Sequence, residues 1–161
     1  MSVRNIEPIR SILLPTDFSA AANVAVEYAE RLAACTGATL LVLTVQQGWG
    51  SEATSDESAD QMQRTLEGIR SRVPSVPVEH LVHGGSPGEV ICWVAQENAC
   101  DQIVMGTHGR TGILNLLMGS TAEYVVRHAR CPVLTVPSRS STEEPLKQPN
   151  LGQGLPRIQA L

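Results

Sequence analysis

The chain has 161 residues, of which 42% are hydrophobic and 17% charged, and its formal net charge at pH 7 is -4. This length and composition predict one globular domain with its own core. The acidic balance and an aromatic share of 3% argue against a basic nucleic-acid surface and against a base-stacking platform. No stretch approaches the roughly 18 apolar residues of a membrane helix. The first residues also lack a signal-peptide pattern, so we expect a cytoplasmic protein.

Short apolar strands alternate with helical patterns along most of the chain. The predicted strands cover residues 11–14, 38–45, 77–82, 101–105 and 132–136, and the predicted helices cover 19–35, 60–73, 86–95 and 120–130. Residues 48–58 between them are expected to form a polar loop. Continuous apolar strands alternating with helices predict an α/β fold, with an open parallel sheet covered by helices on both faces.

Local signals mark the ends of these helices. Ser19 is a candidate N-cap for the first helix, and Gly37 follows it as a stop signal. The third and fourth helices each begin with a capping-box pattern, Ser86 to Glu89 with Pro87 at the first turn, and Ser120 to Glu123. In the first helix one face is expected to be buried and the other to stay outside: Ala21, Ala25, Tyr28 and Leu32, against Glu27, Glu30 and Arg31.

The cysteines and the C-terminal residues carry less information about function. The cysteines are scattered without a C-x-x-C pair and fall within predicted elements. This pattern favours buried free thiols over a metal or redox site at all four positions: Cys35, Cys92, Cys100 and Cys131.

From residue 138 the composition turns to Ser, Thr, Pro, Gln and Gly. We therefore expect a domain over residues 1–137 and a flexible C-terminal tail over 138–161.

A glycine-rich segment follows the fourth predicted strand. It runs from Met105 through Gly106 to Gly109, and Gly119-Ser120 follows after nine further residues. Glycines permit close approach of the backbone to a ligand, and the N-terminus of a helix offers free N–H groups to an anion. The only lysine, Lys147, lies in the predicted tail, so there is no P-loop. We expect phosphates to be held by backbone N–H groups with side chains around them: Thr107, Arg110, Ser120 and Thr121.

Asp17 ends the segment that follows the first predicted strand. Ligands of open parallel sheets bind at the carboxyl ends of the strands, where the strand order reverses. If the first and fourth strands are neighbours there, Asp17 faces the glycine segment. Its carboxylate would accept hydrogen bonds from ribose hydroxyls and repel phosphates. The alternative is a turn residue that bonds nearby backbone.

The spacing G-x2-G-x9-G-S from Gly106 to Ser120, with Pro15-Thr16-Asp17 after the first strand, resembles the universal stress protein family and its ATP-binding subgroup. The resemblance covers about residues 8–137. It implies a Rossmann-like fold of the adenine nucleotide alpha hydrolase kind, with five parallel strands in the order 3-2-1-4-5. It also implies a homodimer in which the fifth strands, residues 132–136, pair.

The same resemblance implies the parts of an ATP site. Asp17 would contact the ribose. A second group of residues would surround the adenine: Pro15, Thr16, Val45 and Met105. A third group would bind the triphosphate: Gly106, Gly109, Gly119, Ser120 and Thr121. A divalent ion, Mg²⁺ or Mn²⁺, would accompany the phosphates.

These features favour a nucleotide-gated regulatory dimer in a stress response, with little or no hydrolysis of ATP. No catalytic lysine or evident general base accompanies the glycine motif, so we do not expect an efficient enzyme. Two alternatives stay open. One is an interaction module of the same fold that binds no nucleotide, and the other is a slow ATPase that uses Arg110.

Overall fold

A computed structural model of the chain describes residues 7–46, 64, 73–107 and 118–137. They form a five-stranded parallel sheet in the order β3-β2-β1-β4-β5, which confirms the expected topology. The strands are β1 (Ser11–Pro15), β2 (Thr39–Gln46), β3 (Val78–Gly84), β4 (Gln102–Gly106) and β5 (Val133–Val136). The described helices are α1 (Ala20–Thr36), α2 (Pro87–Glu97) and α3 (Ser120–His128).

Alternate residues of the strands feed two cores, one on each face of the sheet. On the α1 face, Ile12, Val42 and Val104 pack with buried alanines of α1. On the opposite face, Leu13 and Ile103 pack with residues of α2 and α3. Both faces of the sheet are therefore covered, as the continuous apolar strands predicted.

The buried face of α1 differs from the predicted one. Tyr28 is 40% exposed and Glu30 only 5% exposed, although the sequence pattern placed Tyr28 inside and Glu30 outside. The helix instead buries a stripe of small side chains against the sheet: Ala22, Ala25, Ala29 and Ala33. Alanines let the helix axis approach the sheet more closely than a tyrosine would, and this choice rotates Tyr28 outward and Glu30 inward.

The ends of α1 follow the sequence signals. The Ser19 hydroxyl accepts a hydrogen bond from the Ala22 N–H at 3.2 Å, and Gly37 ends the helix with a left-handed φ of 74°. At α2, Ser86 is the N-cap and Pro87 the first helical residue, but the Ser86 side chain makes no capping bond. The predicted capping box is therefore correct in the position of the N-cap, but the expected hydrogen bond from the Ser86 side chain is absent.

Several predicted segments lie partly or wholly outside the described residues. The polar loop over 48–58 and the tail over 138–161 are among them. Of the predicted helix over 60–73, Arg64 is helical and Val73 lies in a bend, so the helix does not reach Val73. No helix in the described part is long and apolar enough to cross a membrane.

The four thiols are free, but they are not equally buried. Cys100 is buried and Cys92 and Cys131 are partly buried, whereas Cys35 is exposed, so the expectation of a buried thiol is wrong for Cys35. Burial raises the pKa of the Cys100 thiol and also the pKa values of Cys92 and Cys131. These three side chains are therefore kept in the neutral thiol form, which is less nucleophilic than the thiolate.

Asp101 joins the amino ends of β1 and β4. Its Oδ2 accepts hydrogen bonds from the backbone N–H of Arg10 at 2.7 Å and of Ser11 at 3.0 Å. Because the strands are parallel, this contact lies at the edge of the sheet opposite their carboxyl ends. Asp101 is thus a structural residue that fixes the neighbouring strands β1 and β4.

A close contact between α2 and α3 explains Gly88. A Cβ added at Gly88 would lie 2.7 Å from Cδ1 and 3.0 Å from Cβ of Tyr124. Because the near end of the tyrosine side chain is involved, rotation of its ring cannot remove the whole clash. Gly88 therefore serves helix packing.

Alanine at position 88 is expected to lower the free energy of unfolding by roughly 1–3 kcal/mol, the usual cost of overpacking, despite the higher helix propensity of alanine. Chemical denaturation measures the change. In a Tyr124→Ala background the same substitution should cost less, because the clashing ring atoms are gone. A Gly88→Ala protein more stable than the parent would contradict this account of the contact.

Candidate functional site

The end of β1 is held against β2 at the carboxyl edge of the sheet. Pro15 pairs with Leu43, and the Thr16 N–H donates to the Leu43 carbonyl at 2.8 Å. The Thr44 hydroxyl in turn donates to the Thr16 carbonyl at 3.3 Å. These bonds extend the link between the two strands one residue past the end of β1 and fix Thr16, which is 7% exposed.

Thr107 joins the end of β4 to β5 and α3. Its N–H donates to the Val136 carbonyl at 3.0 Å, and its carbonyl accepts from the Gly119 N–H at 2.6 Å. The start of α3 is therefore held directly against the end of β4. Two predicted phosphate residues, Gly109 and Arg110, lie outside the described residues.

Gly119, not Ser120, is the N-cap of α3. Gly119 has extended dihedral angles and Ser120 is the first helical residue, so the predicted capping box is wrong. Glu123 forms an ion pair with Arg127 at 2.8 Å, one turn further along the helix. Gly119 has no side chain with which to cap α3, and no other side chain in the described part of the chain does so. Its first-turn N–H groups and its dipole therefore form a suitable site for an anion.

Asp17 lies in a tight turn directly after β1. Its Oδ1 accepts a hydrogen bond from the Ser19 N–H at 3.0 Å, and the Thr16 hydroxyl accepts from the Phe18 N–H at 3.1 Å. Phe18 has a φ of 62°, a left-handed conformation that turns the chain sharply into α1. The turn role that the sequence left open is therefore present. A carboxylate accepts several hydrogen bonds, so a contact with ribose is compatible with it.

The remaining predicted site residues lie at the same edge. Pro15 and Met105 are buried, and Val45 is half-buried against the core on the α2–α3 face. Gly106 and Thr121 are also half-buried, while Ser120 is exposed at the start of α3. The structure thus brings apolar side chains from three neighbouring strands, β2, β1 and β4, to the edge where α3 begins.

Gln46 is a polar residue at this edge that the sequence did not single out. It is the last residue of β2, one position beyond the predicted end of that strand. Its side-chain Oε1 is buried and has no hydrogen-bond partner among the described residues. The sequence signal for Gln46 was a polar residue at the end of an apolar strand. The lack of a hydrogen-bond partner for its side-chain oxygen among the described residues is visible only in three dimensions.

The described residues contain no group of three or more His, Cys, Asp or Glu side chains that could hold a metal ion.

The fold and this edge define a Rossmann-like α/β protein in which a helix, α3, begins at the carboxyl edge of the parallel sheet. The model of the universal stress protein family matches residues 8–137, and the chain belongs to that family. Universal stress protein MJ0531 of Methanocaldococcus jannaschii is 32% identical over 148 residues, which cover 83% of this chain and 86% of that protein.

Solved structures of similar proteins share the fold. The structure of the protein MJ0577 is similar with a TM-score of 0.75 at 25% identity, over 84% of this chain and all of that one (100%). The universal stress protein of Archaeoglobus fulgidus, solved in complex with dAMP, is similar with a TM-score of 0.61 at 26% identity. That comparison covers 80% of this chain and 97% of the other.

Proposed function

We propose that this protein is a cytoplasmic universal stress protein that binds an adenine nucleotide, ATP foremost, and acts as a nucleotide-gated regulatory dimer in a stress response. The observation that carries the proposal is the start of α3. No described side chain caps this helix, and the Gly119 N–H donates at 2.6 Å to the carbonyl of Thr107 at the end of β4, next to the strand that leads to Asp17. The relative solved with dAMP supports an adenine nucleotide as the ligand.

The order of the strands suggests how the nucleotide lies. The phosphates bind at the N-terminus of α3, where backbone N–H groups and the hydroxyls of Ser120 and Thr121 surround them. The ribose lies over the end of β1 beside Asp17. The base lies over the ends of β1 and β2, against Thr16 and Val45. A divalent ion, Mg²⁺ or Mn²⁺, is held mainly by the phosphates.

We expect the bound ATP to be hydrolysed slowly or not at all. The only lysine of the sequence is Lys147, so no lysine in residues 1–137 can supply the charge that a P-loop lysine places on transferring phosphates. An ATPase would have to depend on Arg110 for that charge.

The dimer is proposed through residues 132–136. β5 ends the order of the described sheet, and Leu134 on it is 37% exposed. An edge strand of this kind pairs readily with a second copy. Pairing of β5 with β5 would cover this edge and join the two sheets.

The first experiment is mass spectrometry of the small molecules released when freshly purified protein is denatured, followed by isothermal titration with ATP and Mg²⁺. Stoichiometric ATP or ADP, or saturable heat on titration, is the expected result. A protein that is empty and gives no heat would contradict nucleotide binding and favour the interaction module. A steady-state phosphate-release assay tests the slow ATPase separately, because turnover above background would support it.

A further inference from the structure

Thr44 is a buried polar residue in the apolar strand β2. Its side chain is only 3% exposed, and its neighbours along the strand, Leu43 and Val45, are apolar. Valine has the same shape, is equally suited to a strand and would bury no polar atom. Burial of the hydroxyl costs free energy unless the hydroxyl is hydrogen-bonded. The partner of this hydroxyl therefore indicates what Thr44 does.

The partner is the main chain that follows β1. The Thr44 hydroxyl donates to the Thr16 carbonyl at 3.3 Å, in a buried position. The Thr16 N–H is bonded to the Leu43 carbonyl at 2.8 Å. A carbonyl oxygen belongs to the planar peptide unit that joins its residue to the next one. The bond from Thr44 therefore fixes the orientation of the peptide between Thr16 and Asp17.

The bonds inside the turn after β1 define its shape but do not tie it to the sheet. Asp17 Oδ1 accepts from the Ser19 N–H at 3.0 Å. The Thr16 hydroxyl accepts from the Phe18 N–H at 3.1 Å. Each of these bonds joins residues that are two positions apart. The bond from Thr44 instead reaches the turn from a neighbouring strand, so it holds the residue before Asp17 in a fixed place relative to the sheet.

We propose that Thr44 is a positioning residue of the nucleotide site, which orients the Asp17 carboxylate toward the ribose hydroxyls through the Thr16 carbonyl. This inference rests on the proposed function, in which Asp17 contacts the ribose, and adds a residue that touches no ligand. By the alternation of the strand, Thr44 lies on the α1 face of the sheet together with Val42. Its effect on the site therefore passes through the main chain. A hydrogen bond depends on direction as well as on distance, so a rotated peptide before Asp17 weakens the contact with ribose.

The test compares titrations of ATP and of its dideoxy analogue, each with Mg²⁺, on the parent protein and on Thr44→Val. The analogue lacks both ribose hydroxyls and keeps the base and the triphosphate, and valine keeps the shape of threonine without its hydroxyl. We expect the parent to prefer ATP by roughly tenfold, in line with hydrogen bonds to a charged group. The valine variant should bind ATP about fivefold more weakly than the parent and bind the analogue within about twofold of it, because only the ribose contact depends on the orientation of Asp17.

The control variant is Thr44→Ser, which keeps the hydroxyl and should keep the parental preference for ATP over the dideoxy analogue. If Thr44 only stabilises the fold, the valine variant will have a lower melting temperature and the parental preference, and the assignment is then wrong. A serine variant that loses the preference as fully as the valine variant would also overturn it, because the hydroxyl would not be the group that acts. A parent protein that binds both nucleotides equally would remove the ribose contact and this inference with it. A parent protein that binds neither nucleotide would overturn the proposed function itself.

Discussion

Replacing Asp17 by alanine is expected to weaken ATP binding by roughly 1–3 kcal/mol, the usual contribution of hydrogen bonds to a charged group. This corresponds to about fivefold to 150-fold in the dissociation constant. The loss comes from the ribose hydroxyls, which would no longer have a carboxylate to donate to. Isothermal titration with ATP and Mg²⁺ measures it directly.

The matched control is Asp17→Asn. Asp17 Oδ1 also accepts from the Ser19 N–H, so alanine removes a turn contact together with the proposed ribose contact. Asparagine keeps an acceptor oxygen for Ser19 and removes the charge. If Asp17 acts in the turn alone, alanine will lower the melting temperature and leave the affinity for ATP unchanged, and the ribose assignment is then wrong. If the carboxylate binds ribose, asparagine will retain the fold and bind ATP with intermediate affinity.

The positions of the strands were predictable because they depend on residues that are close together in the sequence. Four of the strands are short apolar runs, and β3 (Val78–Gly84) mixes apolar and polar residues. Gly37 and Ser19 mark the ends of α1 by hydrogen bonds within a few residues. The rotation of α1 about its axis was not predictable in this way. Ala25 lies on both the predicted and the observed stripe, and only the close approach of the helix to the sheet selects the alanines over Tyr28.

Of the candidate site, too, only the part that depends on local sequence was predictable. The residues at the ends of β1 and β4 were expected from glycine spacing and from the position of Asp17, and the structure places their described members at one edge of the sheet. The helix cap was misassigned, because the pattern from Ser120 to Glu123 satisfies the capping-box rule locally. The pairing of Glu123 with Arg127 and the position of Gly119 after β4 decide against it. The buried side-chain oxygen of Gln46 could be identified only in the structure, because the lack of a hydrogen-bond partner among the described residues depends on what surrounds it.

A glutamate in place of Ser120 is expected to weaken ATP binding by about fivefold or more and to leave the melting temperature unchanged or slightly higher. Ser120 is the exposed first residue of α3, where a carboxylate interacts favourably with the helix dipole by about 0.3–1 kcal/mol. The same carboxylate would stand beside the bound phosphates, and like charges about 4 Å apart repel by about 1–4 kcal/mol between bulk water and a protein surface. Titration with ATP measures the loss of affinity, and a thermal melt measures the change in stability. The control is Ser120→Gln, because glutamine has the size of glutamate without its charge. This variant should bind ATP within a few-fold of the parent. A glutamate variant that binds ATP as tightly as the glutamine variant would mean that the phosphates bind away from the start of α3.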